Sequence, residues 1–305
     1  VRPGAAGSTM TAVFIGCGYV GQVLGTLLRA GGHEVIGVAR TASSLAAIAR
    51  RGITPIAGDI TQRETIDALP DAEWVIVAVS SGGGDAAAAR AVFETGLTTV
   101  IDSYAARSHP PARVVYTSSS SVYGDHDGAW VDETTACAPA TEKAAVLARA
   151  EQIAIDRSAA AGIDVTVCRF AGLYGPGRYR LGRYIRETVT AGYLNMVHRV
   201  DAAGAIAHLL QADRGRGQVI NVVDDQPVDR HTFATTLARR VGATPPDPRP
   251  LADRLADASL STARRRRLAA QKRVSNQRLR SLGYRLRYPT FRSGYATPIA
   301  QRLRD

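Results

Sequence analysis

The residues with the clearest chemistry in this chain are Gly16-Cys17-Gly18-Tyr19-Val20-Gly21, a G-x-G-x-x-G run. Glycines at this spacing let a backbone turn sharply and come close to a phosphate. The hexapeptide is weak evidence alone. Here it follows an apolar run, Ala12–Ile15, that reads as a strand, and it opens an amphipathic stretch reaching about Ala30. That context marks a dinucleotide loop. Gly16 is expected to make the tight turn, Gly18 to admit the pyrophosphate, and Gly21 to let helix and strand pack closely. The helix start then offers free N–H groups and the positive end of its dipole to the phosphates. Tyr19 and Val20, in the same loop, join the predicted cofactor contacts.

Two further positions bear on the dinucleotide. A site for NAD usually ends its second strand in a carboxylate that bonds the ribose 2′-hydroxyl, whereas this chain has Ala39-Arg40 there. Arg40 cannot accept that bond but can pair with a 2′-phosphate, with Thr41, Ser43 and Ser44 as extra donors. NADP is therefore the expected cofactor and NAD the alternative. The third strand closes in Gly58-Asp59-Ile60. Asp59 either accepts from the adenine amino group or caps a helix beginning near Thr61. Ile60 and Val79 complete the predicted cofactor set.

These residues need a scaffold, and the pattern around them supplies one. Strands are expected at Ala12–Ile15, His33–Ala39, Ile53–Ala57, Trp74–Val79, Val114–Tyr116, Ile163–Cys168 and Gln218–Val223, the third to fifth of these with buried character. Helix-length segments separate them, a helix around Leu45–Arg50 among them. Such connections are crossovers, so the sheet should be parallel. The expected fold is α/β, a Rossmann-type doubly wound parallel sheet with a smaller C-terminal substrate lobe. Residues 10–170 form the dinucleotide-binding part, with a returning strand near 218–223, and residues 171–305 form mainly the lobe. The rhythm breaks after Cys168, at the Gly- and Arg-rich loop Arg169 to Arg183, and again at Pro245, Pro246, Pro248 and Pro250.

Composition narrows the classes. The net charge is +11 over 305 residues, but residues 261–305 hold thirteen Lys or Arg against Asp305 alone, a local +12 that leaves about −1 elsewhere. No nucleic-acid motif accompanies that charge, so we read it as a solvated helix and an anion-facing lobe rather than a nucleic-acid surface. Cys17, Cys137 and Cys168 are scattered and odd in number, which argues against a disulfide framework and against structural zinc. No apolar run reaches the roughly 18 residues of a membrane span, the first ten residues lack the apolar core of a secretory signal, and a cytoplasmic location is the simplest expectation. The six histidines show no metal-binding spacing, and Ser119 near His126 lacks the Gly-x-Ser-x-Gly elbow of a hydrolase.

Taken in order, GCGYVG, GDI, YTSSSSVYG (Tyr116 to Gly124), RFAGLYGPGR (Arg169 to Arg178), Val200-Asp201, INVVDDQPV (Ile220 to Val228) and RVSNQRL (Arg273 to Leu279) resemble the extended short-chain dehydrogenase/reductases, the NAD-dependent epimerase/dehydratase superfamily. The resemblance spans Met10 to about Gly294. It implies a bound nicotinamide cofactor, a substrate-choosing C-terminal lobe, and Ser/Thr, Tyr and Lys as catalytic groups, the last two as Tyr-x-x-x-Lys. Ser119, four residues before Tyr123, matches the substrate-oxygen donor. The pair does not transfer: the segment Ala138–Glu151 has no tyrosine, and counting back from Glu151 puts Lys143 near the Tyr position and Leu147 near the Lys position. Lys143 is thus the candidate acid/base, with Tyr123, Tyr174 and His126 as other options.

The expected activity is an NADP-dependent oxidoreductase working on a carbonyl or hydroxyl of a small polar or anionic metabolite. An epimerase or dehydratase with retained cofactor, and a catalytically inactive dinucleotide-binding regulator, are the alternatives. A homodimer is an open option.

Overall fold

The computed structural model describes residues 9–82, 85–186 and 189–304; most of the N-terminal segment read above for a signal lies outside them. Seven strands form one fully parallel sheet. In chain order they are β1 (Thr11–Ile15), β2 (Glu34–Ala39), β3 (Thr54–Ala57), β4 (Trp74–Val77), β5 (Arg113–Ser119), and then strands Asp164–Phe170 and Gln218–Val222. Their spatial order is Gln218–Val222, Asp164–Phe170, β5, β4, β1, β2, β3. Helices α1 (Gly21–Ala30), α2 (Ala42–Ala49), α3 (Arg63–Asp67), α4 (Ala86–Arg90), α5 (Leu97–Ala105) and α6 (Glu142–Ala160) make crossovers on both faces.

The sheet is parallel because both of its faces are covered. Side chains alternate along a strand, and here both sets are apolar. Val13, Ile15, Val75 and Val77 enter the core under α5 and α6, while Ala12, Phe14, Trp74 and Ile76 enter the one that also holds Leu24 and Leu28 of α1. Such doubly buried strands read as continuous hydrophobic runs. β3 departs from its expected buried character: Thr54, Pro55 and Ala57 are exposed, because β3 is the sheet edge. Its proline is tolerated there, where a missing donor costs nothing.

β1 lies between β2 and β4, so the connections from β1 and β4 leave on opposite sides. That is the switch point where a parallel sheet opens a crevice at its carboxyl end. The C-terminal half interleaves with this layer. Strand Gln218–Val222 completes the sheet, and helix Arg199–Gln211 packs against α1. A third core, with Tyr174, Leu181, Phe233, Leu237, Phe291 and Tyr295, belongs to the second lobe.

Candidate functional site

The cleft at the switch point encloses about 500 Å³, within the ~300–1,000 Å³ usual for ligand sites. Gly16, Gly18, Tyr19, Val20, Gly21, Arg40, Asp59, Ile60, Val79, Ser119 and Lys143 all line it. One cavity thus collects residues spread over most of the first half of the chain.

At one end the wall is backbone. Gly16 sits at φ +89, and a Cβ there would lie 2.7 Å from the Ala78 carbonyl oxygen. Only glycine fits, because β1 turns directly against the end of β4. The turn is pinned by Gly16 N and Cys17 N, which both donate to Val38 O at 3.2 and 3.0 Å. A Cβ on Gly18 would meet nothing nearer than Gly16 O at 3.9 Å. That vacant volume faces the cleft, so the loop fits the pyrophosphate of a dinucleotide. Gly21 is less constrained than its expected packing role requires, since its Cβ would make ordinary contacts at 3.5 and 3.6 Å. The close helix–strand approach falls one turn later at Gly25, whose Cβ would lie 2.5 Å from Ile53. Cys17, buried in the same loop, has its thiol pushed up to about 12 by burial and stays protonated.

Arg40 and Asp59 meet at the far rim of this end, Nη1 to Oδ2 3.5 Å, with the arginine side chain 63% exposed. An ion pair that open contributes little to stability, which leaves the guanidinium available to an incoming phosphate. Asp59 does not cap α3 as one reading of the sequence had it. Its Oδ1 accepts from Thr61 N at 2.9 Å and Thr61 Oγ1 at 2.8 Å, a local turn, and α3 begins only at Arg63 behind Gln62. Burial pushes the Asp59 carboxyl up, but the two Thr61 bonds and Arg40 outweigh it and hold it below the ordinary range. Of the other donors expected beside Arg40, Ser44 lines the cavity, while Thr41 caps α2 by accepting from Ser44 N at 3.2 Å.

At the other end the wall is side chains from β5 and α6. Three successive hydroxyls leave β5 with different partners. Thr117 Oγ1 donates to Val77 O at 3.3 Å and Ser118 Oγ to Glu151 Oε1 at 2.5 Å. Ser119 Oγ accepts from Ser121 N at 3.2 Å, which leaves its own proton for a ligand oxygen. Glu151 and Arg169, both almost fully buried, join through Arg169 Nη2 to Oε2 at 2.6 Å and Nε to Oε1 at 3.1 Å. This pair locks α6 to the strand Asp164–Phe170, and the Ser118 bond ties the same carboxylate to β5 beside Ser119.

Lys143 stands in the first turn of α6, which Thr141 caps by accepting from Ala144 N. Its Nζ donates to Gly82 O at 3.2 Å. Leu147, one turn on, lines the same cavity. Burial, with the nearby Arg267 charge second, holds the Lys143 ammonium below its ordinary pKa. Arg267 belongs to helix Thr262–Ala269, so the basic C-terminal segment reaches toward this end of the cleft.

The other acid/base options are placed elsewhere. Tyr123 is fully buried, donates to Asn221 Oδ1 at 2.8 Å, and has its phenol pushed up to about 12 by burial. Tyr174 stacks on Tyr295 with centroids 5.2 Å apart, and His126 Nε2 lies 2.9 Å from Tyr123 O. None of the three lines the cleft. Cleft residues not anticipated include Val92 and Phe93, Phe170, Leu173 and Arg178. Arg178 had a visible signal, an arginine closing the Gly-rich LYGPGR segment; Val92 and Phe93 are apolar helix residues like any others. No helix among the described residues is long and apolar enough to cross a membrane.

Sheet order, glycine turn and switch-point cleft define the class, a Rossmann-type α/β protein. Residues 15–223 match the family model described as NAD dependent epimerase/dehydratase family. The chain is 34% identical over 242 residues to Protein YeeZ of Escherichia coli (strain K12), covering 76% of this chain and 84% of that one. A conserved protein of unknown function from Silicibacter pomeroyi superposes with a TM-score of 0.75 at 30% identity, over 96% of this chain and 99% of its own. A Methylobacillus flagellatus protein gives 0.75 at 26% identity, over 98% of this chain and 100% of its own. The chain belongs to the NAD-dependent epimerase/dehydratase family, and dependence on a nicotinamide dinucleotide comes with that family.

Proposed function

We propose that this protein is an NADP-dependent oxidoreductase acting on a carbonyl or hydroxyl group of a small polar or anionic metabolite. The observation that carries the reading is the single cleft running from the glycine turn and Arg40 to Ser119 and Lys143. Gly16 and Gly18 hold the pyrophosphate against the start of α1, and Arg40 turns from Asp59 to a 2′-phosphate. When bound, the nicotinamide supplies or accepts hydride. Ser119 orients the substrate oxygen with its unspent hydroxyl proton. Lys143 moves a proton to or from that oxygen, a task helped by an ammonium already held below its ordinary pKa.

In this reading Lys143 and Leu147 take the places of the tyrosine and lysine of related enzymes. Both face the cleft one helical turn apart. The lobe made mainly by residues 171–305 closes over the substrate, and its arginines suit an anionic group. We place the protein in the cytoplasm, with no nucleic acid among its partners.

A panel of carbonyl substrates with NADPH tests the activity. Turnover that falls ten- to a hundredfold in Ser119→Ala, with NADPH affinity unchanged, supports it; unchanged turnover removes Ser119 from the mechanism. Family membership favours a second reading, an epimerase or dehydratase in which hydride leaves and returns. It predicts product formation without added NADP. Stoichiometric binding with no turnover on any panel would instead mark a dinucleotide-responsive regulator.

A further inference from the structure

The loop Gly175 to Arg178 in the second lobe touches the glycine turn directly. Tyr19, the residue after Gly18, donates from its hydroxyl to Pro176 O at 3.1 Å. Gly175 makes this approach possible. It holds φ +135, and a Cβ there would lie 3.1 Å from the Tyr19 hydroxyl and 3.0 Å from His198 Nε2. Two guanidiniums then lie over the Tyr19 ring, Arg178 with Cζ 4.0 Å and Arg199 with Cζ 4.3 Å from its centroid. Arg178 lines the cleft and is otherwise exposed, whereas Arg199 Nε is buried with no hydrogen-bond partner.

Cations crowded in this way normally neutralise one another through shared carboxylates. Here neither Arg178 nor Arg199 has a carboxylate partner among the described residues, although Arg40, Arg169 and Arg216 each do. Burial first, and after it the Arg51 and Arg178 charges, lower the hold of Arg199 on its proton, with Tyr19 acting the other way. The ring that both guanidiniums cover is a phenol held above its ordinary pKa by burial, so it brings no negative charge to the pair. The pair lies beside the turn whose open Gly18 position faces the cleft. Such an arrangement suits an anion.

We infer that Arg178, backed through the Tyr19 ring by Arg199, is an anion clasp by which the second lobe closes on the pyrophosphate of the bound dinucleotide. The inference rests on the dinucleotide reading of the cleft and adds to it the residue that couples cofactor to lobe. Arg178 supplies a planar fork that matches two phosphate oxygens. Arg199 is a positioning residue, since it contacts Tyr19, which lines the cleft, and does not line the cleft itself. A phosphate on the substrate offers the same chemistry, and the two sources differ in whether the dinucleotide alone feels the arginine.

The test is a titration of the free wild-type protein, Arg178→Gln and Arg199→Gln with NADPH, following nicotinamide fluorescence, and with reduced nicotinamide mononucleotide, which has no pyrophosphate. Melting temperatures of the three unliganded proteins check that folding is kept. The clasp predicts NADPH affinity lowered about ten- to thirtyfold in Arg178→Gln, as expected for a lost charge-assisted pair, and about threefold in Arg199→Gln. Mononucleotide binding should change by less than about twofold. It further predicts that NADPH slows amide exchange in residues 175–180 of the wild type and not of Arg178→Gln, a readout independent of turnover. Equal NADPH affinity in wild type and Arg178→Gln overturns the clasp while leaving the dinucleotide site standing, and points the arginine at the substrate. An equal loss for the mononucleotide overturns the assignment to the pyrophosphate. A wild type that binds neither nucleotide overturns the dinucleotide reading and the clasp with it.

Discussion

The two ends of the cleft are built from different materials. The cofactor end is backbone: a glycine turn held by Val38 O, a helix start, and space where Cβ atoms would be. The end proposed for chemistry is side chains, with Ser119 from β5 beside a buried Glu151–Arg169 pair and Lys143 from α6 bordered by a basic helix more than a hundred residues away in sequence. Backbone needs are met by few residue types, so the first end is conservative in form. Side-chain chemistry can be exchanged one residue at a time, and the second end is where Lys143 and Leu147 line the cleft from α6.

The largest expected effect strikes the support of the chemistry end. Glu151→Ala leaves Arg169 charged and buried without its partner, and should cost about 3–5 kcal/mol in denaturant unfolding. A loss under about 1 kcal/mol would mean that Ser119 is positioned by something else. At the cofactor end, Gly16→Ala should cost about 2–3 kcal/mol, because it adds a contact with Ala78 O to a positive φ. Gly18→Ala should leave stability within about 1 kcal/mol yet weaken NADPH binding. Equal stability losses in the two variants would contradict the different demands assigned to those glycines.

A third prediction concerns the second lobe. Burial pushes the Asp224 carboxyl up to about 8, and its Oδ2 has no hydrogen-bond partner. Its folded pKa lies above the ordinary 3.8. Its stabilising contribution is therefore whole below about pH 4, falls as the pH rises, and is gone above about 8. Asp224→Asn should flatten that dependence and raise stability at pH 8 by on the order of 2 kcal/mol; melting curves from pH 4 to 8 that keep the wild-type slope would refute it. The smallest effect is expected at Lys143, held below its ordinary 10.5. If it donates the proton, NADPH-driven turnover falls as the pH rises through that lowered value, and Lys143→Met loses this alkaline limb. The same limb in the variant would assign it to another group.

Legibility follows the same division. The turn at Gly16, the succession of parallel strands along the chain and the strand-end positions of Arg40 and Asp59 were readable because each rests on a local pattern: a glycine spacing, an apolar run, a strand end. Gly25 was not, because which glycine a helix presses on a strand depends on how α1 lies against Val35 and Ile53. The edge position of β3 depends on strand order, which hydrophobicity does not record. Tyr123, Tyr174 and His126 carried the right chemistry in suggestive loops, yet their side chains turn into packing and internal bonds away from the cleft. Arg178 carried a signal in its Gly-rich segment but not its place over Tyr19, and the approach of Arg267 to Lys143 had none, because both depend on how the lobe folds back between distant segments.

The most direct test of the NADP-binding cleft is a paired titration with NADPH and NADH, following reduced-nicotinamide fluorescence, on the wild type and Arg40→Asp. A 2′-phosphate site at Arg40 predicts that the wild type prefers NADPH and that the variant loses that preference by about tenfold or more, since a 2′-phosphate then faces two carboxylates. Equal affinity for both nucleotides, unchanged by Arg40→Asp, would contradict the 2′-phosphate site. Failure of the wild type to bind either would contradict the cleft's assignment altogether.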